Sequence, residues 1–149
     1  MTIDERPLGM QINVLAHLFR SAVEEEVRQS GISFSYFQII RFLKMKEKQN
    51  ITQSDICDFL HFKPSSISVT LQNMENDGLL IRTKSEEDSR KTFVRLSEKG
   101  LEMDKKIRLH YRTIEEYMRN HLSGEELESL RTNLHTLITA LEERGANNG

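Results

Sequence analysis

The stretch from Thr52 to Gly100, TQSDICDFLHFKPSSISVTLQNMENDGLLIRTKSEEDSRKTFVRLSEKG, constrains the fold more than any other. Thr52 is placed to cap a short helix: its hydroxyl can accept from the N–H of Asp55, which adds negative charge to the first turn. Ile56, Phe59 and Leu60 give that helix an inward face, with Cys57 beside them. His61, Phe62 and Lys63 make a turn. Pro64 then opens a second helix at the position where a missing N–H costs nothing. Ile67, Leu71 and Met74 recur at helical spacing and mark its buried face. After Asp77-Gly78, LLIRTK alternates into a strand, SEEDS is a polar turn, and KTFVRL returns with Val94 and Leu96 on one face. Two short helices at a tight turn, followed by a two-stranded hairpin, predict a winged helix-turn-helix lobe.

Long helices flank this lobe. Pro7 opens the first, and Leu8, Ile12, Leu15, Phe19, Val23 and Val27 form one apolar stripe along it before Gly31 ends it. Ser33 or Ser35 caps the next helix, which turns Phe34, Phe37, Ile40 and Leu43 inward. Ser97 caps a long helix with Leu101, Ile107, Ile114 and Met118 among its apolar positions. Ser123 and Glu126 then form a capping box, and Leu127, Leu130, Leu134, Leu137 and Leu141 step by three and four residues as a heptad seam. One small lobe cannot bury both apolar faces. The expectation is a helical dimerisation layer from both ends of the chain, using Leu8, Ile12, Leu15 and Phe19 with Leu127, Leu130, Leu134, Leu137 and Leu141. The fold class is mainly α with a small β-hairpin wing. A single domain over 1–149 is expected, with the lobe at about 33–96 and dimerisation helices at about 7–30 and 98–145.

Composition narrows the function. The net charge of −2 carries no global nucleic-acid signature, so a DNA reader of this balance must concentrate its cations locally. One cysteine, Cys57, forbids an intrachain disulfide and fits a reducing compartment; on an apolar helix face it reads as a small core residue. The N-terminus lacks a secretory pattern, and no apolar run approaches the roughly 20 residues that span a bilayer. A cytoplasmic protein without a membrane partner is expected. His17, His61, His110, His121 and His135 are scattered, with no nucleophile pairing, no His-x-x-x-His spacing and no Gly-rich phosphate loop. No catalysis, metal site or cofactor is expected.

The outer face of the second short helix shows Ser65, Ser66, Ser68, Val69, Gln72 and Asn73. Serines and amides can bond phosphates and base edges; Gln72 or Asn73 suits an adenine, and Val69 suits a thymine methyl. The hairpin sets Arg82, Lys84, Arg90, Lys91 and Arg95 against Glu86, Glu87 and Asp88. A charged tip is commonly a solvated edge, but directly after a helix-turn-helix it reads as a wing reaching for the backbone or minor groove. Lys63, Ser65, Ser66, Ser68, Val69, Gln72, Asn73, Arg82, Lys84, Arg90 and Lys91 are therefore the candidate contacts to double-stranded DNA. A winged-helix module that binds protein through the same surface is the alternative.

Several linked segments resemble the MarR family of transcriptional regulators. Thr52…Asp55-Ile56-Cys57 stands where that family has Thr-x-x-Glu-Leu-Ala. Met74-Glu75-Asn76-Asp77-Gly78-Leu79-Leu80-Ile81-Arg82 is similar to Leu-Glu-x-x-Gly-Leu-Ile-x-Arg, Asp88-Ser89-Arg90 to the wing's Asp-x-Arg, and Leu96-Ser97-Glu98-Lys99-Gly100 to Leu-Thr-x-x-Gly. The resemblance implies a homodimeric repressor on a pseudo-palindromic operator, released by a small, often aromatic or anionic, effector between lobe and dimerisation helices. It implies that Asp88 orients Arg90 rather than touching DNA. His17, Arg20, Phe37, Arg41 and Tyr111 are the effector-pocket candidates by position. Redox sensing in the family uses a cysteine near the second helix, and this chain has none there. The chain departs from the family at Lys63 (often Asp), Val69 (often Arg) and Ser89 (often basic), which points to fewer charged contacts and an A·T-leaning operator.

Overall fold

A computed structural model describes residues 4–149. The order is α1 (Leu8–Val27), a 3-10 turn (Arg28–Ser30), α2 (Phe34–Met45), β1 (Ile51–Thr52), α3 (Gln53–Leu60), α4 (Pro64–Asn76), β2 (Leu80–Lys84), β3 (Thr92–Leu96), α5 (Glu98–Arg119) and α6 (Gly124–Asn147). The chain forms two compact units, one reaching to Tyr111 and the other Arg112–Gly149.

The expected caps are in place. Of the two candidates for α2, Ser33 is the cap, its Oγ accepting from the N–H of Tyr36 at 3.2 Å. Thr52 and Asp55 close a reciprocal box: Thr52 Oγ1 accepts from the Asp55 N–H at 3.1 Å, and Asp55 Oδ2 accepts from the Thr52 N–H at 2.9 Å. His61 takes the left-handed conformation (φ 56°) that swings the chain from α3 into α4.

The sheet has three strands, not the two of a bare hairpin. β3 pairs with β2 from Leu80↔Leu96 to Lys84↔Thr92, and its other edge takes β1 through Ile51↔Val94 and Thr52↔Phe93. Two residues are too short for a period-two pattern, so β1 leaves no trace in the sequence beyond the cap at Thr52.

The core of the first unit is wider than the lobe expected at 33–96. Val23 and Val27 from the end of α1 and Ile107 from α5 are fully buried with Ile39, Ile40, Ile56, Leu71 and Met74. Phe59, expected inward, is exposed and stacks on the buried Phe42 with ring centroids 4.5 Å apart. Phe42 already fills the core position, and Phe59 shields it from outside. Phe19 stands one helical turn beyond Leu15 on the α1 stripe. It is half-buried, edge-on to Phe34 (6.5 Å) and Tyr111 (6.3 Å) of its own unit. Leu8, Ile12 and Leu15 stay exposed.

Two polar ties hold α5 to this core. Asp104 is 0% exposed, and its Oδ1 accepts from Arg41 Nη1 of α2 at 2.6 Å. The second tie clasps the turn that ends α4. The carbonyls of Asp77, Gly78 and Leu79 accept in sequence from Lys99 Nζ (2.6 Å), Ser97 Oγ (2.5 Å) and the Ser97 N–H (3.1 Å). Gly100 lies so close to this turn that a Cβ there would collide with the Leu79 carbonyl oxygen.

The second unit comprises the end of α5 and α6. Ser123 and Glu126 form the expected capping box. Leu127 is half-buried, while Leu130, Leu134, Leu137 and Leu141 are exposed. Among the described residues no helix is long and apolar enough to cross a membrane.

Candidate nucleic-acid interface

Helix α4 presents two faces. Ile67, Leu71 and Met74 are buried, so Ser65, Ser66, Ser68, Val69, Gln72 and Asn73 are all turned to solvent, Val69 at 63% exposure. Lys63 occupies the N-cap without a side-chain capping bond, which leaves its ammonium exposed at the helix start. Thr70 bonds back to its own helix, donating from Oγ1 to the Ser66 carbonyl at 2.9 Å.

The hairpin tip is ordered by short polar bonds. Ser85 Oγ accepts from the N–H groups of Glu87 and Asp88, each at 3.2 Å. Asp88 then grips Arg90: Oδ1 accepts from the Arg90 N–H (3.0 Å) and Nε (3.1 Å), and Oδ2 from Nη2 (3.3 Å). These bonds, the side chain's first and the backbone's second, hold the Asp88 carboxyl below its ordinary range. The Arg90 side chain is nonetheless 89% exposed, so the grip sets its direction and leaves its outer face open. Lys84 and Lys91 are exposed beside it.

Arg82 lies differently from the other cations. Its side chain is only 20% exposed and turns onto α4, donating from Nε to Glu75 Oε2 at 3.1 Å and from Nη2 to Gln72 Oε1 at 2.5 Å. The hydrogen bond from Arg82 holds the Glu75 carboxyl below its ordinary range. Gln72 in turn donates from Nε2 to Asn76 Oδ1 at 3.0 Å.

A cleft of about 820 Å³ opens between the start of α3 and the tip end of β3, lined by Gln53 and Ser54 on one side and Arg90 and Lys91 on the other. Sequence reasoning passed over Gln53 and Ser54. The only available signal was their position directly after the cap at Thr52. Cys57 and Asp58 lie in the same cleft, and burial first and Asp58 second push the Cys57 thiol up.

An aromatic cluster sits apart from this face. Phe34 stacks on Phe37 (5.7 Å), Phe37 meets Tyr111 (5.2 Å), Arg20 lies 5.2 Å over Phe34, and Arg41 lies 5.9 Å over Tyr111. Four of the five effector-pocket candidates are therefore brought together. His17 is exposed on α1.

The MarR-family sequence model matches residues 30–91. Over 137 residues the chain is 27% identical to the organic hydroperoxide resistance transcriptional regulator of Bacillus subtilis (strain 168), spanning 89% of this chain and 92% of that protein. A MarR-like transcription regulator from Bacillus cereus ATCC 10987 is 25% identical and superposes with a TM-score of 0.74 over 90% of this chain and 95% of its own. The winged-helix part of the chain is thus similar to the MarR family. The resemblance drawn from residues 52–100 and the mainly α winged-helix fold class are both borne out. Staphylococcus aureus MepR in its DNA complex shares the MarR-family fold with a TM-score of 0.83 at 21% identity, over 92% of this chain and 99% of that one. In MarR terms, α3 and α4 are the helix-turn-helix and β2–β3 the wing.

Proposed function

We propose that this protein is a sequence-specific DNA-binding transcriptional regulator of the MarR family. It acts as a homodimeric repressor on a pseudo-palindromic operator and is released by a small aromatic or anionic effector. The observation that carries the reading is the pairing of two surfaces on one lobe. Helix α4 offers a face of short hydroxyl, amide and apolar side chains, and the wing offers Arg90 held outward by Asp88. The first suits base edges in a major groove, and the second suits a phosphate or a minor groove. MepR, which shares the fold, is described in complex with DNA.

Dimerisation is supported by apolar side chains left in water. Leu8, Ile12 and Leu15 on α1 and Leu130, Leu134, Leu137 and Leu141 on α6 are all exposed, at spacings that suit helix pairing. A dimer would set two copies of α4 into successive major grooves about 34 Å apart. An effector seated at the aromatic cluster, with Arg20 and Arg41 beside it, would change that spacing and lower affinity by its preference between the two states. Peroxide sensing, suggested by the name of the Bacillus subtilis relative, would have to use Cys57. Its raised pKa lowers the thiolate fraction and argues against that route.

The test is a randomised-DNA selection with the purified chain at stated salt. An enriched palindrome with half-sites about one helical turn apart is expected. A stable dimer that enriches no sequence refutes the reading and favours a protein-binding module. With the operator in hand, Arg90→Ala should weaken binding to all sequences alike and flatten the salt dependence.

A further inference from the structure

Two neighbouring carboxamides, Gln72 and Asn73, stand on the face proposed to read DNA, and their surroundings differ. The Gln72 amide is engaged at both ends inside the protein. Its Oε1 accepts from Arg82 Nη2, and its Nε2 donates to Asn76 Oδ1. Arg82 is in turn anchored on Glu75 and mostly shielded from water. Swinging Gln72 into a groove would break both bonds, one of them charge-assisted, and would leave an Arg82 N–H without its acceptor. Asn73 is exposed, and its side chain makes no hydrogen bond among the described residues. It therefore keeps both a donor and an acceptor for the paired bonds that an adenine edge requires.

The row to which Asn73 belongs adds a second observation. Ser65, Val69 and Asn73 follow one another at four-residue steps, so they line one strip of α4, and all three are exposed. Val69 is a large apolar side chain in water with no core to join. A thymine methyl is the apolar group that a major groove offers. An amide one turn beyond an apolar side chain fits adenine and thymine in neighbouring positions.

From this we infer that Asn73, and not Gln72, is the base-reading amide of this chain, that it reads adenine beside a thymine packed on Val69, and that Arg82 is a positioning residue which withholds Gln72 from the groove. The inference rests on the DNA-binding function proposed above. It reassigns Arg82 from direct contact to control of its neighbour.

The experiment is a parallel selection from randomised DNA with the wild-type chain, Asn73→Ala, Gln72→Leu, Arg82→Met and Arg82→Lys, each checked for folding by circular dichroism. Asn73→Ala should lose about tenfold in preference for adenine at one position of each half-site. Gln72→Leu should return the wild-type motif. Arg82→Met frees the Gln72 amide and should change base preference at one additional position, which mere loosening of the lobe would not do. Arg82→Lys keeps a cation for Glu75 but lacks the fork that also holds Gln72, so it should show the same change if Arg82→Met fails to fold. A motif that survives Asn73→Ala but collapses in Gln72→Leu overturns the assignment. An unchanged motif in both Arg82 variants overturns the role of Arg82. No enrichment by the wild-type chain overturns the DNA-binding reading itself, whereas enrichment of a Gln72-dependent motif overturns this inference alone.

Discussion

Replacing Arg41 with Met should destabilise the first unit far more than its surface position suggests. Asp104 is fully buried, its Oδ1 takes Arg41 Nη1 at 2.6 Å, and its Oδ2 has no hydrogen-bond partner among the described residues. Arg41 is thus the one cation paired with this carboxylate among the described residues. Removing one member of a buried pair costs about 3–5 kcal/mol, because the remaining charge is stranded away from water. The lower end applies here, since the Arg41 side chain keeps 30% exposure and water reaches the pair from that side. The guanidinium over Tyr111 adds about 0.5–1 kcal/mol to the loss. The converse deletion is cheaper. In Asp104→Leu the guanidinium can turn to solvent, and the cost falls to about 1 kcal/mol. The double variant Arg41→Met/Asp104→Leu should lie within about 1 kcal/mol of wild type, as an apolar replacement for a buried pair commonly does. The chain has no tryptophan, so urea unfolding is followed by far-ultraviolet circular dichroism. A loss of about 3 kcal/mol lowers the midpoint by about 1–3 M. Equal costs for the two single variants, or an Arg41→Met midpoint unchanged from wild type, would refute the asymmetry.

Three further outcomes are expected. The Asp88 carboxyl is depressed by Arg90, so the wing grip is intact above the ordinary carboxyl value of 3.8 and is lost only as pH falls through the lower folded value. A carboxyl NMR titration should show Asp88 with a midpoint below 3.8 that returns towards it in Arg90→Ala; a midpoint that ignores Arg90 would contradict the grip. Gly100→Ala favours the helix by about 1 kcal/mol in propensity but drives a methyl into the Leu79 carbonyl, so a net loss of about 1–3 kcal/mol is expected in urea. A variant as stable as wild type would show that the clasp yields. Leu134→Glu places a charge in the exposed leucine row of α6 and should give a monomer by sedimentation at micromolar concentration; an unaltered dimer would place the interface elsewhere.

Much of the fold was legible because local chemistry and long-range packing agree. The caps at Ser33, Thr52 and Ser123, the opening prolines and the spacing of Ile67, Leu71 and Met74 all state their roles within one or two turns of chain. The failures share a cause. β1 is recognisable only through its partner strand, 41 residues away in the Thr52↔Phe93 pair. Phe59 follows helical periodicity, but whether such a ring faces a core or covers its rim depends on which other aromatic side chains arrive there.

The candidate interface divides along the same line. The sequence by itself determined which face of α4 is polar, since buried apolar residues at three- and four-residue spacing leave no other face for Ser65, Val69 and Asn73. It also determined that Asp88 stands two residues before Arg90, close enough to bond it within a single turn. Only the tertiary structure decided between Gln72 and Asn73, and whether Arg82 points outward. Both depend on β2 packing against the end of α4, which brings a guanidinium to the amide ten residues before it. Helical periodicity places a side chain on a face, but the hydrogen-bonding capacity left on that face depends on what the rest of the fold has already bonded.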